Sequence, residues 1–286
     1  MAPSCPLIHV DDVTPENMQK GQGWAISEFR LPISGKQGAA TTVFHSIFRP
    51  GSTHAKHLHS RCDEIAVYLK GHGVVGQGDE RTQVGPGHCR LMPKGSQHFF
   101  FNETKDEEGL VIGFYVGAKS VEDTGYAFCG NVTEADTAMP RAHGLREGTL
   151  VHIDTVEPAV DAPSEWRGID VRFPIGAHNG SSNALFWMTL EPGATLPKHR
   201  HERCEKVYYV IRGEGVAGAG ADRARVRSGH VHLIPQGVEH FLWNASEREP
   251  LELIGVYTGA ASLHQSGYVY GGEVTAADRR AVSATP

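Results

Sequence analysis

Along this chain the hydrophobic residues come in short bursts, not in helical stripes. Residues 41–48, 65–69, 88–92, 99–101 and 110–116 are rich in Val, Ile, Phe, Tyr and Thr, and Gly or Pro clusters bound most of them. Short β-forming segments with such punctuation predict an antiparallel sandwich or barrel, not an alternation of strands and helices. Helix signals are weak. Thr14-Pro15-Glu16-Asn17 has the form of a capped first turn, and Thr133-Glu134-Ala135-Asp136 and Thr275-Ala276-Ala277-Asp278 could each open a short C-terminal turn.

The pattern occurs twice. His57 and His199, Gly71 and Gly213, His98 and His240, and Asn102 and Asn244 all stand 142 residues apart. Trp24 matches Trp166, Phe44 matches Phe186, Val74 matches Val216 and Tyr126 matches Tyr268 at the same offset. A constant offset from Trp24 to Thr133 marks an internal duplication that has kept its loop lengths. The 286 residues then divide into a first domain over 1–144 and a second over 145–286, with residues 141–148 as a linker. Each half is long enough to bury its own core.

The repeated stretch carries candidate chemistry. A strand sends residues i and i+2 to one face, so His57 and His59 point together. Glu64 follows, and His98 arrives from a separate segment. Imidazoles converging with a carboxylate make a site for a first-row divalent metal. The second half repeats this with His199, His201 and His240. A lone histidine is usually an ordinary surface or core residue, but joint spacing in duplicate argues against that here. His54, His72 and His88 match none of the ligand positions and are expected to be ordinary. His232 shares a slot with Arg90 and is a candidate polar neighbour of the site. Tyr68 and Tyr208 should serve the core, and Cys62 and Cys204 should be small buried residues.

These residues resemble the cupin superfamily. Gly51, His57, His59, Glu64 and Gly71 fit its first motif, G-x5-H-x-H-x(3,4)-E-x6-G. Gly87, Pro93, Gly95, His98 and Asn102 fit its second, G-x5-P-x-G-x2-H-x3-N. Gly193, His199, His201 and Gly213, then Gly229, Pro235, Gly237, His240 and Asn244, repeat both. The resemblance implies an all-β bicupin, two tandem jelly-roll antiparallel barrels, with the metal inside each barrel. One departure stands out. The glutamate slot of the second half holds Lys206, and Glu205 lies one residue earlier, where only a bulge would turn it inward. The first half therefore implies a 3-His/1-Glu site and the second a 3-His site, with metal expected in both.

Fold resemblance leaves the reaction open. The favoured expectation is a non-haem Fe(II) dioxygenase, akin to quercetinase-like or gentisate dioxygenase-like bicupins, acting on a small oxygenated molecule. Open metal positions would hold O2 and substrate, and a displaced Glu64 would serve as base. The alternative is a redox-neutral isomerase, decarboxylase or aminohydrolase using Mn(II), Ni(II) or Zn(II). Oxalate decarboxylase-like chemistry, with Mn and O2, sits between the two, and Cu(II) is a further option. A non-catalytic storage protein fits poorly with complete ligand sets.

The net charge of −6 gives no electrostatic reason to expect nucleic acid or an anionic membrane as partner. No apolar run approaches the roughly 20 residues needed to span a bilayer, and the first residues show no signal-peptide pattern. Five scattered cysteines fit free thiols in the cytoplasm better than a disulfide framework. Pairing of the two barrels within the chain, with further homodimerisation left open, completes the expectation.

Overall fold

The structure, a computed structural model, describes residues 4–17, 26–141, 145 and 148–280. Trp24 and most of the 141–148 linker lie outside the described residues. In chain order the first twelve strands are β1 (Leu7–His9), β2 (Glu28–Ile33), β3 (Thr42–Phe48), β4 (Lys56–His59), β5 (Asp63–Lys70), β6 (Gly73–Gln77), β7 (Glu80–Val84), β8 (His88–Met92), β9 (His98–Asn102), β10 (Gly109–Val116), β11 (Tyr126–Gly130) and β12 (Thr149–His152), with a short helix α1 (Glu134–Ala138) before the last. The rest are β13 (Ile169–Ile175), β14 (Ala184–Leu190), β15 (Thr195–His201), β16 (Glu205–Arg212), β17 (Glu214–Ala219), β18 (Asp222–Arg227), β19 (His230–Ile234), β20 (His240–Asn244), β21 (Leu251–Thr258), β22 (Tyr268–Gly272) and the helix α2 (Ala276–Arg280).

Two compact units result, Val13–Thr155 and Met1–Asp12 with Val156–Pro286. In the first, a six-stranded sheet in the order β12-β8-β5-β10-β3-β2 accompanies a five-stranded sheet in the order β11-β4-β9-β6-β7. The second repeats this as β1-β19-β16-β21-β14-β13 and β18-β17-β20-β15-β22. Every pairing is antiparallel. The all-β, duplicated architecture is the one the sequence pattern predicts.

The packing divides the chain differently from a cut at 144/145. β12 precedes the second repeat but pairs with β8, Thr149 opposite Leu91. β1 precedes the first repeat but pairs with β19, Leu7 opposite His232. Each unit thus takes its outermost strand from the sequence ahead of the other repeat. An edge strand supplies unpaired N–H and C=O groups, and nothing in the local pattern says which edge will use them.

Within each unit alternate residues point between the sheets. Phe44, Phe48, Tyr68, Phe100, Val111 and Tyr115 are buried together in the first unit, and Phe186, Tyr208, Leu242, Leu253 and Tyr257 in the second. Burying each such aromatic contributes roughly 1.5–3 kcal/mol. The closing Gly71 of the first motif has φ +76°, and a Cβ there would lie 2.8 Å from Gly109 Cα. Glycine is required at that turn on both counts.

α1 is capped by Thr133, whose hydroxyl accepts from Asp136 N while Asp136 accepts from Thr133 N. Thr275 and Asp278 repeat that box at α2. Residues 14–17 form no helical turn. No helix among the described residues is long and apolar enough to cross a membrane. All five cysteines are free thiols.

Candidate metal centres

In the first unit, β4 carries His57 and His59 on its buried face, with Lys56 and Leu58 on the other. His98 opens β9 directly opposite His57. The turn before it is fixed by Gly95, whose φ of +83° favours glycine and whose N–H donates to His59 O at 2.8 Å. Glu64, near the start of β5, lies opposite Tyr115 on β10 and Met92 on β8. One ligand atom from each of His57, His59, Glu64 and His98 falls within 4.8 Å of the others, and all four residues are buried. Glu64 Oε2 stands 3.0 Å from His59 Nε2 and 3.1 Å from His98 Nε2.

The protonation pattern bears on what this cluster wants. His57 Nδ1 bonds Ala55 O at 2.7 Å and His98 Nδ1 bonds Ser96 O at 2.9 Å. A carbonyl only accepts, so each Nδ1 carries the proton and each Nε2 presents a lone pair. His98 Nε2 then faces a carboxylate oxygen at 3.1 Å, lone pair against lone pair, an arrangement that a shared proton or a bound cation relieves. Backbone carbonyls that hold Nδ1–H and aim Nε2 inward are the usual second layer of a metal site. The donor set fits a divalent metal. Burial pushes the His57 and His98 pKa values down. Burial would raise the Glu64 pKa, but the adjoining His98 and His59 outweigh it, and its carboxyl is held below the usual range. Neutral imidazoles and an ionised carboxylate are the states a metal requires.

A cavity of about 30 Å³ adjoins the cluster, lined among others by His54, Ser46, Tyr68, Arg90 and Phe29. Arg90 on β8 is fully buried. Its Nη1 donates to Phe99 O at 3.2 Å and its Nη2 to Gly76 O and Gln77 Oε1 at 2.6 and 2.7 Å, while Nε has no hydrogen-bond partner. The guanidinium is therefore held by neutral oxygens. His54 packs its ring 3.9 Å from that of His57, and burial lowers its pKa to about 3. From the sequence, His54 is expected to be ordinary, and Arg90 is linked to the site only through the slot it shares with His232. The available signal was divergence at the repeat offset, since Leu196 and His232 replace them in the second half. His72 and His88 stay outside the cluster.

A larger cleft of about 740 Å³ borders the same barrel. It shares Phe29 with the cavity and is lined by Tyr126, whose ring stacks on His57 at 5.2 Å. Lys36, Arg61 and Lys119 line it, against Glu16 and Glu122.

In the second unit His199, His201 and His240 likewise converge within 4.8 Å and are buried. Their Nδ1 atoms bond Pro197 O, Ser266 Oγ and Val238 O at 2.7, 2.8 and 3.0 Å. Lys206 takes the carboxylate's place. It is 1% exposed, lies opposite Tyr257 and Ile234, and sets Nζ 3.5 Å from His240 Nε2. Burial lowers its pKa to about 7. No bulge turns Glu205 inward; it pairs opposite Thr258, half-buried and outside the cluster. His232, the candidate neighbour, is buried but engages Tyr208 Oη at 2.8 Å. Cys62 and Cys204 are buried thiols, each raised to about 12 with burial as the main cause, and so are protonated and poor ligands.

The family model for the cupin domain matches residues 44–112 and 186–257. Among curated proteins, oxalate oxidase GF-2.8 of Triticum aestivum is 36% identical over 75 residues, 23% of this chain and 34% of that protein. Germin-like protein 3-3 of Oryza sativa subsp. japonica is 33% identical over 96 residues, 30% of this chain and 42% of that one. The match to the first of these spans about a third of the relative's length. Among solved structures, a variant of Bacillus subtilis oxalate decarboxylase superimposes with TM-score 0.70 at 16% identity, covering 92% of this chain and 78% of that one. Lactobacillus farciminis oxalate decarboxylase in its formate complex gives 0.69 at 14% identity, covering 92% and 88%. At these identities the structures speak to the fold.

Proposed function

From the premise that this chain belongs to the cupin superfamily as a bicupin, we propose that its first barrel is a manganese-dependent site that cleaves the carbon–carbon bond of oxalate or a similarly small dicarboxylate. The observation that carries this reading is Arg90. A buried guanidinium without a carboxylate partner is costly. With Glu64 ionised and a divalent ion among the ligands, the barrel interior carries two net positive charges. A dianion restores neutrality, with one carboxylate at the metal and the other toward Arg90.

Size supports the same class. About 30 Å³ beside the metal ligands accommodates on the order of two waters, so a flavonol or phenolic ring does not fit without rearrangement. This favours the decarboxylase alternative with manganese over an Fe(II) dioxygenase of larger oxygenated substrates. The relatives support the same class, since they include oxalate oxidases and oxalate decarboxylases and, in Bacillus subtilis oxalate decarboxylase, Mn(II) centres.

The metal would supply Lewis acidity and a one-electron couple. The chain's own residues do the rest. His57, His59, Glu64 and His98 would hold the ion, Arg90 would orient the distal carboxylate, and Phe29, Phe44 and Tyr115 would exclude water. The cations of the larger cleft favour approach of an anion. Free cysteines suit a reducing, cytoplasmic setting.

The test is product analysis on Mn(II)-loaded protein with oxalate. Formate and CO2 in equal amounts identify a decarboxylase. CO2 with H2O2, at the expense of O2, identifies an oxidase, the reading favoured by the sequence relatives. Turnover of neither oxalate nor malonate, with phenols or diketones consumed instead, refutes the proposal.

A further inference from the structure

We infer that the second barrel holds no divalent metal and that Lys206 Nζ stands in the ion's place, as a built-in cation for the three histidines. The two clusters share a frame and differ in what the lone pairs meet. Nδ1–H groups are tied to oxygens on His57 and His98 in the first barrel and on all three histidines of the second, so their Nε2 lone pairs converge. In the first barrel His98 Nε2 faces the Glu64 carboxylate, an acceptor facing an acceptor, which a shared proton or a bound cation relieves. In the second, His240 Nε2 faces an amine that donates to it. The remaining Nε2 atoms, on His199 and His201, have no hydrogen-bond partner, and the amine carries two further N–H groups to offer.

Geometry then works against an added ion. A metal bonded to His240 Nε2 at about 2.1 Å sits within about 5.6 Å of Nζ whatever its direction, because Nζ is 3.5 Å from that nitrogen. The cluster contains no carboxylate to offset the resulting charge. The apolar walls agree, since Nζ lies 5.3 Å above the Phe186 ring and 5.8 Å from that of Tyr208. The duplication would then have left one metal centre and one that is filled by the chain itself.

The measurement is Mn(II) bound per chain after gel filtration, by elemental analysis and by electron paramagnetic resonance of the bound ion. It is made in a His57→Ala/His98→Ala background, which removes two of the first barrel's four donors so that the second barrel is read, and no activity is needed. The expected count there is zero, rising to one when Lys206→Glu is added. Lys206→Met, which keeps the length and removes the cation, should raise the count above zero even if the glutamate variant does not fold. One Mn(II) in that background that disappears when His240→Ala is added overturns the inference. So does a folded Lys206→Glu variant that stays at zero.

Discussion

Glu64 and Lys206 occupy the same position in two copies of one barrel. Glu64 lies opposite Tyr115 and Met92, and Lys206 lies opposite Tyr257 and Ile234, each pair 142 residues apart. Both side chains are buried and reach the corresponding histidine, Glu64 to His98 and Lys206 to His240. Register, sheet and depth are the same, and the sign of the charge is reversed. One substitution in an otherwise retained frame converts a cluster that asks for a cation into one that contains it.

Glu64→Gln should therefore weaken Mn(II) binding in the first barrel by at least 10-fold to 100-fold, on the order of what even outer-layer changes cost. The amide keeps the shape and removes the charge. Titration of metal-free protein with Mn(II) checks this, with Lys206→Gln as the control that leaves the first barrel's affinity unchanged. Equal affinity in Glu64→Gln and the parent protein would remove Glu64 from the ligand set.

Arg90 tests the substrate class. Losing a hydrogen bond to a charged group costs about 1.5–3 kcal/mol, so Arg90→Lys should lower kcat/KM for oxalate by roughly 10-fold to 100-fold, mainly through KM. Lysine keeps the charge but not the forked geometry that matches a carboxylate. Arg90→Met should lose more, and its thermal midpoint must be recorded because three buried acceptors lose their donor. Unchanged KM with an intact fold would show that the second carboxylate binds elsewhere.

Much of this was legible in the residues. Two-residue alternation puts His57 and His59 on one face, and the repeat offset pairs His57, His59 and His98 with His199, His201 and His240 while setting Lys206 against Glu64, so the candidate side chains are legible in the sequence. Lys206 in the glutamate slot is also legible, and β-register adds that Glu205 does not rotate in to replace it. His54 is not legible as a neighbour of the site because it matches no ligand position, and its contact with His57 depends on the turn preceding β4. The exchange of β1 and β12 was illegible for a different reason. Edge pairing is decided by long-range closure, and a three- or four-residue strand carries too little pattern to name its partner.

Acid should weaken the helix latches. Asp136 accepts from Lys56 at 2.9 Å and Arg81 at 2.8 Å, and Asp278 repeats this with Lys198 at 2.7 Å and Arg223 at 3.0 Å. Burial would raise the Asp136 pKa, but hydrogen bonds from Lys56, Thr133 and Arg81 outweigh it and hold it below the ordinary value. A carboxyl depressed on folding contributes stability above its unfolded pKa, about 3.9, and loses it as pH falls through the folded value. Asp136→Asn should thus cost about 1–3 kcal/mol at pH 7, a difference that shrinks progressively below about pH 4. Denaturant midpoints at pH 7 and pH 3 check it; an undiminished difference at pH 3 would show that charge is not what the latch uses.

Packing behind the first metal cluster offers a test that separates fold from site. Gly113 lies directly across from Phe44, and a Cβ on it would come within 1.9 Å of the Phe44 ring. Its backbone is not in the left-handed region, so the cost of Gly113→Ala is steric alone, about 1–3 kcal/mol. Phe44 in turn packs 4.9 Å from Tyr115, and Tyr115 packs 4.8 Å from His59. Displacing Phe44 therefore pushes along a chain of rings that ends on a ligand. Gly255 lies across from Phe186, where a Cβ would come within 2.3 Å of Val207 O and 2.5 Å of the Phe186 ring, and Tyr257 connects Phe186 to His201 at 5.0 and 4.8 Å. Both alanine variants should lower the thermal midpoint, by roughly 2–4 °C per kcal/mol lost. Only Gly113→Ala should also loosen Mn(II) binding, because only the first barrel has an ion to lose. Loss of Mn(II) affinity in Gly255→Ala as well would mean that the second barrel binds metal after all.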